Sequence, residues 1–91
     1  MSKVSFLKDK YYDVAYSGGW YPGMCVEEID EESSRLDFLI PSGNFFRWPP
    51  KKDVQKVFSA GALTEIGIVP VSNGRLWSVV DKIKIDRLYK R

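Results

Sequence analysis

The residue pattern predicts an all-β domain: a small five-stranded antiparallel barrel with a C-terminal extension that ends in a short helix. Three observations carry that expectation. Short segments such as "YYDVAY" and "RLDFLI" alternate apolar and polar residues with the period of a strand that buries one face. Turn signals, "SGG" and "PSGN", follow one another at the close spacing of hairpin-connected strands. Aromatic residues make up 14% of the 91, and large rings suit the thin core of one small domain.

Taken in order, residues 1–10 read as a flexible N-terminal arm with Phe6 and Leu7 as anchors. Residues 11–58 read as the barrel. Its first strand puts Tyr12, Val14 and Tyr16 on one face and Tyr11, Asp13 and Ala15 on the other. "SGG" then supplies the conformational freedom of a tight hairpin. The second strand, "WYPGMCVEEID", contains Pro22 and Gly23, which predict an edge position or a bulge because proline cannot donate to a ladder. Asp30–Ser34 forms the next turn. The third strand, Arg35–Ile40, sets Leu36, Phe38 and Ile40 against Asp37 and Leu39. "PSGN" turns the chain into a short fourth strand, "FFRWP", stopped by Pro49 and Pro50. "DVQKV" is the fifth strand or a 3₁₀ turn. Residues 59–91 read as an extension packed on the barrel, with "GALTEIGIVPV" extended. A helix over residues 79–89 is expected to start from a Ser78–Asp81 capping box, although the alternation of Ile83 and Ile85 also suits a strand.

Composition narrows the function. The chain has no histidine and one cysteine, Cys25. The commonest general base, the histidine-paired nucleophiles, an internal disulfide and most zinc sites are thereby removed. The expectation is a non-enzymatic binding module without a cofactor or metal. No segment is apolar over the roughly 18 residues of a membrane span, and "MSKVSFLKDK" lacks the apolar core of a secretory signal. An intracellular, nuclear protein without a membrane partner is expected. Net charge is only +2, but acids crowd Glu27–Glu32 and bases crowd the C-terminus.

Trp20 and Tyr21 stand side by side just after the first turn. Strand neighbours point to opposite faces, so one ring can fill a core while the other meets solvent. The two turns bring further rings to the same end of a barrel. The ligand-binding candidates are Tyr16, Trp20, Tyr21, Phe38, Phe45, Phe46 and Trp48, with Asn44 as a hydrogen-bonding partner. Several ring faces around a gap attract a cation, each contact contributing about 0.5–2 kcal/mol.

"VAYSGGWYPGMCVEEID" followed by "RLDFLIPSGN" resembles the Tudor-like branch of SH3-like barrels over about half the chain. A narrower likeness, carried by "GGWYPGMCV", "PSGNFFRWPPKKD" and "NGRLWSVVDKIKIDRLYK", is to small domains of transposon-associated animal proteins. The Tudor resemblance implies recognition of methylated lysine or arginine, in chromatin or RNA-processing proteins, by an aromatic cage. Tyr16 and Tyr21 match two cage walls and Asn44 matches the loop asparagine. Where the family carries aromatics after the third strand and before the glycine, this chain has Leu39 and Ser42. Phe45, Phe46 or Trp48 would have to supply those walls.

Two further readings compete with a peptide tail as partner. The apolar "GALTEIGIVPV" segment suggests a protein-interaction or oligomerisation module that adds a strand at its edge. Arg47, Lys51, Lys52 and Lys56, beside the rings of "NFFRW", suggest nucleic-acid binding.

Overall fold

The computed structural model describes residues 5–71 and 74–90, a mostly β molecule of two antiparallel sheets and one short helix. β1 (Tyr11–Tyr16) and β2 (Gly19–Glu28) form the opening hairpin, closed where Tyr16 pairs with Gly19. Gly19 has φ 146°, a backbone region that glycine enters without steric cost. β3 (Ser33–Phe38) pairs with β2. After a detour, β6 (Val54–Phe58) pairs with β3. A 3₁₀ turn at Ser59–Gly61 then delivers β7 (Ala62–Ile66) to the free edge of β1. The strand order is therefore β6-β3-β2-β1-β7.

The detour is a hairpin of β4 (Ile40–Ser42) and β5 (Phe45–Arg47). It joins β8 (Ile68–Pro70) and β9 (Trp77–Val79) in a second sheet ordered β4-β5-β9-β8. Helix α1 (Lys82–Tyr89) follows.

The period-2 alternation divides the interior into two clusters. On one face of the first sheet, Tyr12, Val14, Cys25, Leu36, Phe38 and Val57 form a core with Phe6. On the other, Leu39, Phe46, Val79 and Ile85 form a second core, against which Trp20, Trp48 and Trp77 pack. The second sheet and α1 thus cover the back of the first sheet.

Several expectations are corrected. The strands form two sheets rather than one closed five-stranded barrel. The expected third strand splits after Phe38: Leu39 still gives its N–H to the Pro22 carbonyl of β2 (3.0 Å), but Ile40 pairs with Arg47 in the second sheet. "FFR" consequently lies in the second sheet, and β7, from the expected extension, pairs with β1. β2 is central and not an edge, and its register shift falls between Cys25 and Glu27 instead of at Pro22–Gly23. Pro22 fits there because its missing N–H would face β3 just where that strand ends. Gly23 has a packing role: a Cβ on it would lie 2.9 Å from Phe38 Cδ1.

The described part of the expected flexible arm is docked. Phe6 is buried, with its ring edge-on to Tyr12 at 4.9 Å. The Leu7 N–H donates to the Tyr12 hydroxyl (2.8 Å), and that hydroxyl donates to the Ser5 carbonyl (3.1 Å). The helix begins at Lys82, later than expected, since Ser78 and Val79 belong to β9. Its N-cap is Asp81, at φ 59° and without a side-chain cap, so no Ser78–Asp81 capping box forms. Among the described residues no helix is long and apolar enough to cross a membrane.

Candidate functional site

At the hairpin end of the Tyr12–Leu36 core, three rings stand around a hollow of about 350 Å³ that opens to solvent. Tyr16 ends β1, Tyr21 lies early in β2 and Phe38 ends β3. Their meeting follows from register. Val14 faces Tyr21, and Gly23 faces Phe38, so the three rings are diagonal neighbours on one face, within reach of one another. The Tyr16 centroid lies 5.8 Å from Tyr21 at 60° and 6.0 Å from Phe38 at 72°. Leu39 and Ile40 form an apolar flank.

The remaining wall is polar. Asp53 and Gln55 line the hollow, and Gln55 Nε2 donates to Asp53 Oδ1 (2.8 Å). The Asp53 carbonyl accepts the Phe38 N–H (3.0 Å), which fixes the approach of β6 to the end of β3. Burial, and then the charge of Asp53, push the Tyr16 hydroxyl above its ordinary pKa. The hydroxyl therefore stays protonated at neutral pH, and the hollow carries a negative field from one carboxylate. Such a chamber suits a cation of modest hydration.

Of the sequence-derived candidates, the structure brings Tyr16, Tyr21 and Phe38 together and sends the others elsewhere. Trp20 points to the opposite face, where its indole Nε1 donates to Asp86 Oδ1 (2.7 Å) and its ring lies 5.7 Å from Phe46. Phe46 is buried and Trp48 packs on the same cluster. Asn44 sits in the exposed β4–β5 turn, where its carbonyl accepts from Lys82 Nζ (3.5 Å), and Phe45 begins β5. None of these five residues lines the hollow.

Asp53 and Gln55 were missed as candidates, yet a signal for them exists. If Val57 belongs to the core, period-2 alternation places Gln55 and Asp53 on the same face of "DVQKV". Phe38, one position before Leu39, contributes the third ring of the hollow.

The basic residues do not act as one group. Lys51 and Lys52 are exposed beyond the double proline, while Lys56 lies on β6 with its Nζ 5.2 Å from the Phe58 ring centre. Arg47 and Trp48 instead line a separate cleft with Arg75 and Trp77. The "GALTEIGIVPV" segment supplies β7 and β8, and its Leu63, Ile66 and Ile68 pack against the second core. Within the acidic run, Asp30 Oδ1 accepts from the Glu32 and Ser33 N–H groups and the Ser33 hydroxyl. Those bonds lower its pKa, the Glu32 bond most, and mark it as a turn-forming residue. Cys25 is buried, which raises its thiol pKa. Among the described residues no group of three or more histidine, cysteine, aspartate or glutamate side chains could hold a metal ion.

Compared with known proteins, the chain matches no family, no curated protein and no solved structure.

Proposed function

We propose that this protein is a Tudor-like binding module that takes a methylated lysine or arginine side chain into the hollow of Tyr16, Tyr21 and Phe38. The observation that carries the reading is the convergence of three rings and the Asp53 carboxylate on one open chamber of side-chain size. A methylated ammonium or guanidinium loses little hydration on entering, gains attraction to the ring faces and is neutralised by Asp53. The strand order β6-β3-β2-β1-β7, with a 3₁₀ turn before the last strand, supports an SH3-like barrel opened between β6 and β7. The second sheet would be an elaboration on its back. Ligands of this kind occur on tails of chromatin and RNA-processing proteins, which makes the nucleus the proposed compartment.

The test is a titration of the ¹⁵N-labelled protein with peptides carrying unmodified and methylated lysine or arginine. Shifts confined to Tyr16, Tyr21, Phe38, Asp53 and Gln55, stronger for a methylated than for an unmodified peptide, are expected. Equal responses to both, or none at millimolar peptide, would sink the proposal.

A further inference from the structure

We infer that the Arg47–Trp77 cleft binds single-stranded nucleic acid. β5 and β9 are neighbours in the second sheet, joined where Phe46 pairs with Trp77. That pairing sets Arg47 and Trp48, which follow Phe46 in the chain, beside Trp77 and the turn residues Gly74 and Arg75. Together these five residues line a cleft of about 360 Å³. Two indoles and two guanidinium groups meet there, and no acidic side chain lies among the described residues that line it. Lys51 and Lys52, both exposed, follow in the chain beyond the double proline.

The composition of the wall selects the ligand. A guanidinium presents a planar fork of donors that matches a phosphate. An indole offers a face on which any base can stack, and stacking combined with a basic track is the general device of single-strand binding. An acidic peptide would satisfy the arginines but leave the indoles unused. Trp48 and Trp77 are half-buried, held by the second core behind them, so their rings are positioned before any ligand arrives. The cleft shares no residue with the aromatic hollow, and the inference stands independently of the function proposed for that hollow.

The experiment uses the full chain and fluorescently labelled oligo(U) and oligo(dT), read by anisotropy from about 20 to about 200 mM salt. Single strands are expected to bind, with affinity falling as salt rises. The logarithmic slope should be about 1.4 if Arg47 and Arg75 each neutralise one phosphate. Indole N–H resonances of Trp48 and Trp77 should shift while that of Trp20 stays in place. An Arg47→Glu/Arg75→Glu variant should bind at least about tenfold more weakly. Should that variant lose its native spectrum, the Arg47→Gln and Arg75→Gln single variants make the same comparison. Tyr21→Ala, which removes a wall of the other site, should leave binding unchanged. Four results would each overturn the inference: no binding at low salt, full binding by the arginine variants, duplex or polyglutamate competing as well as a single strand, or shifts confined to Lys82, Lys84 and Arg87.

Discussion

Gly23 and Phe38 face each other across the β2–β3 ladder, and the aromatic hollow depends on that pair having only one side chain. An added methyl at 2.9 Å from Phe38 Cδ1 forces the ring to move. Gly23→Ala should therefore destabilise the fold by about 1–3 kcal/mol, seen as a lower urea midpoint, and weaken methylated-peptide binding in the same sample. Asp53 contributes differently, since its carboxylate adds charge rather than shape. Asp53→Asn should keep the native spectrum and reduce affinity for a methylated lysine peptide about tenfold. An unchanged dissociation constant would remove Asp53 from the recognition argument. Tyr16 and Tyr21 were paired in the sequence only through the Tudor-like resemblance, and the hairpin closed at Gly19 sets the register that puts them on one face. Asp53 was harder to see, as the whole β4–β5 hairpin separates it from Phe38 in the chain.

Helix α1 is short, and an isolated helix of eight residues is marginal in water. Its place is fixed by tertiary contacts. Ile85 is 1% exposed in the second core while Ile83 is 72% exposed, so one face of the helix is committed to packing. Asp86 accepts the Trp20 indole N–H, and the Tyr89 hydroxyl donates to the Tyr16 carbonyl (2.7 Å). Both bonds end on the hairpin that presents Tyr16 and Tyr21, so the helix braces the back of the site. Trp20→Phe removes the donor to Asp86 and should cost about 1–2 kcal/mol. Amide hydrogen exchange should then speed up in α1 before it does so in β2 and β3. Uniform acceleration throughout the molecule would mean that the helix does not open separately. The helix was expected from the sequence, but its start was not. Ser78 and Val79 suit a helix N-terminus locally, yet their pairing in β9 claims them for the sheet.

The two cores lie on either side of the first sheet, and burying both faces traps a charge-bearing residue between them. Asp13 is fully buried, and neither carboxylate oxygen has a hydrogen-bond partner among the described residues. Burial, and then the nearby charge of Asp86, push its pKa up to about 7. The folded protein thus keeps a proton that the unfolded chain releases near pH 4. This contribution to stability is fully present below that value and is lost as pH rises towards 7. Between pH 5 and pH 8, stability should fall by about 2–3 kcal/mol from this group. Asp13→Asn should flatten that slope, and parallel urea midpoints for the two proteins over this range would refute the assignment.

Local chemistry sufficed for the opening hairpin and for the approximate course of β1, β2 and β3, because alternation and turn preference act over a few neighbouring residues. Long-range pairing settled the rest. Which strand lies beside β1, where β5 goes once the chain turns away after Leu39, and which rings enter a core are outcomes of competition among distant segments for the same edges and faces. Trp20 and Phe46 carry the same chemistry as the rings of the hollow, yet both are packed into the second core. Their exposure was decided by what packs on top of them, and no property of the residues themselves encodes that.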